Sequence, residues 1–173
     1  MTNESTAHIT TPTRPAPADD HPGVIARPPR IAYLLLAIGA ILERFSPWPL
    51  WPEGSMAVSR YGLGAGLAAI GLILMTHALR AFRRAGTNVE TPKPATALVT
   101  SGIYARSRNP MYVSLLLLFA AVGAFANSMW FAILLGVYLI VLRFGVIARE
   151  ERYLERKFGG VYGAYRAHVR RWF

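Results

Sequence analysis

Between Tyr61 and Leu79 the chain runs without a single aspartate, glutamate, lysine or arginine, and then turns abruptly basic at Arg80, Arg83 and Arg84. A helix needs about 20 consecutive apolar residues to cross the hydrocarbon core of a bilayer. Such a run constrains the fold more than any motif, because lipid admits only helices or closed barrels. Two further runs, Met111–Ala126 and Met129–Ile147, flank Asn127-Ser128 and read as a tight helical hairpin that crosses and returns. An earlier run, Ile31–Leu42, is short for a span. It closes at Glu43-Arg44-Phe45, followed by Ser46-Pro47-Trp48-Pro49-Leu50-Trp51-Pro52, whose prolines forbid a continuing helix and whose tryptophans suit the headgroup layer.

Charge then orients these segments. The chain has 173 residues and a net charge of +10, yet only 16% of its residues are charged and 53% are hydrophobic. The N-terminal 30 residues, the stretch from Arg80 to Arg108 and the segment from Arg143 onward hold 3, 6 and 8 basic residues, which leaves only Arg44 and Arg60 for the opposite side. Basic residues beside apolar runs obey the positive-inside rule rather than mark a nucleic-acid surface. The expected fold is therefore an all-α integral membrane protein of about four transmembrane helices with both termini cytoplasmic. Residues 1–30, rich in proline and without apolar period, read as a disordered tail, and 31–173 as one membrane domain.

The C-terminal segment is too polar to cross. Ile147, Glu151, Leu154 and Phe158 share one helical face, Gly159-Gly160 offers a stop, and Val161, Tyr162, Tyr165, Val169 and Trp172 recur at helical spacing. This pattern predicts a basic amphipathic helix lying in the membrane interface. Inside the second run, Gly64-Ala65-Gly66-Leu67-Ala68-Ala69 imitates a dinucleotide-binding loop, but nothing strand-like precedes it. Close helix packing through Gly62 and Gly66 is the better reading.

Candidate chemistry gathers at the basic ends. The chain has no cysteine, so it has neither a thiolate nucleophile nor a cysteine metal site, and His8, His21, His77 and His168 are never paired at ligand spacing. No metal is expected. In Ser107-Arg108-Asn109-Pro110-Met111-Tyr112, proline suits the first helical turn and asparagine the N-cap. That alone is a helix start. Across the hairpin, Glu150-Glu151 sits near a membrane boundary, where carboxylates need partners. Salt bridges with Arg108, Arg149 or Arg152 and a ligand-binding carboxylate both remain open. The apolar Ala97-Leu98-Val99 within a polar loop suggests packing beneath a ligand or on the membrane, and Tyr104, Tyr112 and Tyr153 offer aromatic faces.

The pattern LVTSGIYARSRNPMY, a two-helix hairpin, and then EERYLERKFGGVYGAYRAHVRRW resembles the isoprenylcysteine carboxyl methyltransferase family, and more loosely the related phospholipid N-methyltransferases. The likeness runs from about Thr87 to Trp172. It implies an S-adenosylmethionine-dependent methyltransferase whose donor lies between the last membrane helices and the C-terminal segment. It further implies that Thr96, Ala97, Leu98, Val99, Tyr104, Asn109, Pro110, Met111, Tyr112 and Glu150 contact that cofactor.

Two departures matter. Asn109 stands where the best-known members carry histidine, and an amide cannot titrate near neutrality. Val146 stands where eukaryotic members carry a substrate-binding arginine, for which Arg143 or Arg149 are the substitutes expected here. The implied acceptor is lipophilic, a small molecule or lipidated substrate reached through the bilayer. It is first of all a carboxylate, which is already ionised at neutral pH and needs no base. Of the groups able to deprotonate an amine or thiol, only His168 is a candidate. A lipid amine or small thiol as acceptor, a non-catalytic module binding anionic lipids, and a membrane reductase using a nicotinamide cofactor are the rival readings.

Overall fold

The computed structural model describes residues 22–52, 57–88 and 95–173. Among them the chain is helical with no strand. The first 21 residues of the expected tail, together with Lys93, lie outside the described residues.

Helix α1 spans Pro28–Phe45. It opens on Pro28 and Pro29, whose fixed φ and missing N–H groups cost nothing in a first turn. Helix α2, Ala57–Arg84, is 28 residues long. A 3-10 turn at Gly102–Ala105 leads to α3, Pro110–Ala126, which is joined to α4, Met129–Ile140, by Asn127-Ser128. Helix α4 runs through a π-helical stretch, Val141–Ile147, directly into α5, Ala148–Phe158, and α6 covers Gly160–His168.

The sequence splits α4 from α5 by polarity at Ile147, but the backbone does not break there. The break comes at Gly159, whose φ of +53° is open to glycine and strained for other residues. Val58–Arg84 and Met129–Phe158, 27 and 30 residues long, are each long and apolar enough to cross a membrane. Helices α1 and α3, of 18 and 17 residues, are shorter.

Neighbouring helices run antiparallel. Phe125, near the end of α3, meets Tyr61 near the start of α2, while Phe82 near the end of α2 meets Tyr104 just before α3. The hairpin turn rests on Asn127, which adopts a left-handed backbone (φ +52°). Its side-chain amide donates to the Trp51 carbonyl at 3.0 Å, and its Oδ1 accepts from the Trp51 N–H at 2.9 Å. The proline- and tryptophan-rich loop after α1 is thus clamped to the hairpin tip, where Trp48 and Trp130 pack edge to face. At the opposite end, Ile25 donates its N–H to the Gly145 carbonyl at 3.4 Å, and Tyr138 donates its hydroxyl to the Pro28 carbonyl. Residues 22–30 therefore lie against the bundle, and α1 begins three residues before the apolar run.

The seam between α2 and α3 corrects the glycine reading. Gly62 and Gly66 have nothing within 4 Å of where a Cβ would sit. Gly64, Gly71 and Ala78 are buried instead, seven residues apart, so they stack every two turns along one face. A Cβ on Gly71 would lie 3.2 Å from the Ser114 carbonyl and 3.0 Å from Leu118. The small residues do bring backbones together, as close packing in membranes requires, but at heptad spacing.

The core between α1, α3 and α4 is apolar, with Phe119, Phe131, Tyr138 and Leu142 buried. The outer surfaces are also apolar: Tyr33, Leu34, Ile70, Leu72, Ile73, Ile140 and Phe144 are all more than half exposed. Water would not tolerate such a coat, whereas lipid matches it. The protein is membrane-associated.

Candidate functional site

At the end of the bundle where α2 finishes and α3 begins, a cavity opens between the chain from Ala95 to Tyr112 and the face formed by α5 and α6. The space between these walls is about 880 Å³ when the open solvent at its mouth is counted. Each wall has a local cause. Thr87, just past α2, uses its hydroxyl oxygen to accept the N–H groups of Thr96 and Ala97 at 3.0 and 3.3 Å. The Tyr153 hydroxyl accepts the Ala95 N–H at 3.0 Å from the other side. Held at both ends, Ala97, Leu98 and Val99 are buried and line the cavity. Their apolarity is a wall, as the loop composition suggested.

Tyr104 projects from the 3-10 turn, stacked edge to face on Phe82, and its carbonyl accepts the Tyr165 hydroxyl at 2.7 Å. Asn109, Met111 and Tyr112 come from the start of α3, and Glu150 comes from α5. The Tyr112 hydroxyl donates to Glu150 Oε2 at 2.7 Å, so both feet of the hairpin meet in one space. Eight of the ten residues expected at the cofactor line this cavity. Thr96 is exposed and ties its loop to the Gly86 carbonyl, and Pro110 is buried in the first turn of α3. Neither is on the lining.

Arg143 and Arg149 are not brought to the cavity. Arg143 lies over the Phe144 ring, and Arg149 donates to the Gly23 carbonyl at 2.9 Å. His168 is exposed on α6, bonded to the Ala164 carbonyl, and also stands away from the lining.

Asn109 sits at the N-cap position but makes no side-chain capping bond. The Ser107 hydroxyl takes the Asn109 N–H, and the Asn109 amide reaches across to the Arg171 carbonyl at 3.0 Å. The chain after α6 explains this. Instead of continuing as an amphipathic helix to Trp172, it leaves helical geometry at Val169 and runs alongside residues 107–109. The Arg108 N–H donates to the Arg170 carbonyl at 2.9 Å. Glu151 completes the latch: Arg171 Nε and Nη2 donate to its two oxygens at 3.0 and 2.6 Å, and Arg108 Nη2 lies 3.4 Å from Oε1. Of the two carboxylates, Glu151 is thus a structural hub and Glu150 faces the cavity with a tyrosine as partner.

Lining residues outside the expected cofactor contacts include Leu154, Tyr162 and Tyr165, together with Arg108, which the sequence offers as a salt-bridge partner for Glu150-Glu151. The signal available for the two tyrosines was their spacing of three on one face of α6, which reads equally well as an interfacial stripe. The face instead packs inward, with Tyr162 and Phe158 buried against Leu98.

Tyr104 and Tyr162 share one chemical state. Burial, then the Glu150 charge, then Tyr165 hold the Tyr104 phenol well above its ordinary range. Burial is also the main reason that Tyr162 is pushed up to about 12, with Glu151 adding to it and Arg108 opposing. Near neutrality these phenols are protonated. They donate hydrogen bonds and present aromatic faces, and they do not act as bases. Hydrogen bonding to Glu151 raises the Arg171 pKa, so that guanidinium keeps its charge.

Fold and site together define a membrane-associated helical protein with one mixed polar and aromatic cavity at an end of its bundle. The chain belongs to the phospholipid methyltransferase family, whose profile matches residues 59–160, and this family includes isoprenylcysteine carboxyl methyltransferase-like members. The family's activity is membrane-associated methyl transfer, generally from S-adenosylmethionine. An uncharacterized protein of Haemophilus influenzae is 44% identical over 64 residues, covering 36% of this chain and 98% of that protein. No solved structure matches.

Proposed function

We propose that the protein transfers a methyl group from S-adenosylmethionine to a lipophilic acceptor, at the cytoplasmic face of the membrane and within the cavity between α3 and α5. The observation that carries this reading is the meeting of Tyr112 and Glu150 at 2.7 Å inside a space also lined by Asn109 and the 97–99 wall. The lining suits the donor: a carboxylate for hydroxyl or ammonium groups, apolar chain and tyrosine rings for adenine and sulfonium. When bound, the donor supplies an electrophilic methyl. The chain's own residues hold, orient and exclude water. Methyl transfer is an in-line displacement, so fixing both partners in one cavity supplies much of the acceleration.

In this reading the chain makes four crossings with α6 lying at the interface, and the distribution of basic residues supports the orientation. Arg80, Arg83 and Arg84 end α2 at the cavity side, Arg106 and Arg108 precede α3, and Arg149 through Lys157 follow the return. The far end holds Arg44 and Arg60. By the positive-inside rule the cavity end is cytoplasmic, and the lipid-facing apolar coat offers the acceptor a route through the bilayer.

For the acceptor we favour a carboxylate. Among the described residues the lining contains no histidine or lysine, and burial keeps the Tyr104, Tyr162 and Tyr165 phenols protonated, so a group already ionised fits best. A lipid amine is the second reading, favoured by the family's name, and would need Glu150 to take a proton. Incubating the protein in native membrane extract with methyl-labelled donor separates the two. A carboxylate acceptor gives label released as methanol by mild alkali. Label that resists alkali and travels with amine headgroups would replace the first reading with the second. No transfer to any lipophilic molecule would sink both.

A further inference from the structure

Arg108 lies where the chain enters α3, and its side chain is only 10% exposed. One of its nitrogens, Nη2, faces Glu151 at 3.4 Å. The other two, Nε and Nη1, are buried and have no hydrogen-bond partner among the described residues, with the Tyr162 phenol the other polar group beside the guanidinium. Glu151 has little more to offer, because Arg171 already takes both of its oxygens at 3.0 and 2.6 Å. A buried guanidinium with idle N–H groups is costly, since each missing bond forfeits its desolvation. The residue lines the cavity and sits at the N-terminal side of a 17-residue helix, whose dipole also favours negative charge.

We propose that Arg108 forms an oxyanion subsite inside the cavity, with its Nε and Nη1 donating to a carboxylate or phosphate oxygen of a bound molecule. Guanidinium geometry suits a paired, charge-assisted contact of this kind. Glu150 lines the same cavity. The lining thus presents charges of both signs, a match for a zwitterionic amino-acid group, which is the carboxylate-bearing end of the donor. An acid group on the acceptor has the same chemistry and is the other possible source. Assignment to the donor rests on the function proposed above; the oxyanion subsite itself does not.

The test compares binding of S-adenosylhomocysteine and of its decarboxylated analogue, which keeps the amine, to the purified full chain in detergent by calorimetry. Wild type should prefer the intact ligand. Arg108→Gln should weaken it by roughly 10- to 100-fold, the scale of a lost charge-assisted pair, while leaving the decarboxylated analogue unchanged. Arg108→Lys, which keeps a charge beside Glu151 and so protects the fold, should fall between the two. Oleate binding to the same variants forms the second arm. If oleate alone loses affinity in Arg108→Gln, the subsite serves an acid group of the acceptor. If the wild type binds no S-adenosylhomocysteine but loses oleate on substitution, the donor reading fails and the subsite stands. If neither ligand distinguishes Arg108→Gln or Arg108→Lys from wild type in folded protein, the subsite is overturned.

Discussion

Exchanging Glu151 for glutamine puts the largest structural demand on the cavity end of the bundle. The side chain is 11% exposed and holds Arg171 through two short bonds, with Arg108 at 3.4 Å. Glutamine keeps the shape but removes the charge and turns an N–H₂ group toward a guanidinium. Breaking one side of a buried ion pair costs roughly 3–5 kcal/mol, because the remaining charge is left uncompensated. Arg171 is 31% exposed and recovers part of its hydration, while Arg108 at 10% recovers little. The expected loss is therefore about 2–4 kcal/mol. Scaled by the entropy of unfolding for a chain this size, the midpoint should fall by on the order of 5–15 °C.

Thermal unfolding in detergent reads this directly, and Arg171→Ala supplies the second corner of a double-mutant cycle. If Glu151 is the hub, the double variant loses less than the sum of the two single losses, by at least about 1 kcal/mol. Additive losses, or a midpoint within about 2 °C of wild type for Glu151→Gln, would refute the latch as a source of stability.

Three other expectations rest on separate parts of the molecule. Gly71→Ala should lower the unfolding midpoint, because its methyl would press on the Ser114 carbonyl and Leu118, an overpacking cost of about 1–3 kcal/mol; Gly66→Ala, facing open space, should be neutral or slightly stabilising, and the reverse order would displace the heptad seam. Tyr112→Phe removes the hydroxyl bonded to Glu150 Oε2 at 2.7 Å, and S-adenosylhomocysteine affinity should drop by roughly 5- to 50-fold with little change in midpoint, on the scale of a charge-assisted hydrogen bond. Alkaline titration probes Tyr162, whose folded form keeps its proton up to about 12. Its stabilising contribution is complete below the ordinary tyrosine value of about 10 and is lost as pH rises beyond it. The midpoint should be flat with respect to this group near neutrality and fall in strong alkali, and the fall should be shallower in Tyr162→Phe.

Much of the helical framework was legible because lipid leaves a chain few choices. Long uncharged runs, the Asn127-Ser128 interruption and the basic flanks fix helices and turns before any packing is considered. Within the site, the buried wall at Ala97, Leu98 and Val99 was visible as an apolar island in a polar loop. Glu150 and Asn109 were visible as polar residues at helix ends.

What stayed hidden depends on partners that a single strand of sequence does not name. Four-residue glycine spacing drew attention to Gly62 and Gly66, yet the face that meets α3 is chosen by Phe125, Leu118 and Ser114 on the other helix. Arg108 reads in the sequence as a flanking charge or a salt-bridge partner for Glu150-Glu151, because burial and an oversubscribed carboxylate appear only once Arg171 folds back. The stretch Val169–Trp172 kept a helical period while its carbonyls were claimed by Arg108, Ser107 and Asn109, and those bonds favour an extended chain over another turn. Arg143 and Arg149 carried the right charge for a substrate but point elsewhere.

Equilibrium binding of labelled S-adenosylmethionine to the purified protein, beside its Glu150→Gln variant, is the most direct test of the central claim. Saturable binding by the wild type is expected, and the variant should bind at least about tenfold more weakly, about 1.4 kcal/mol, with its unfolding midpoint preserved. A folded wild type that shows no saturable binding, or a variant that binds as well as the wild type, would contradict a donor site between the two feet of the hairpin.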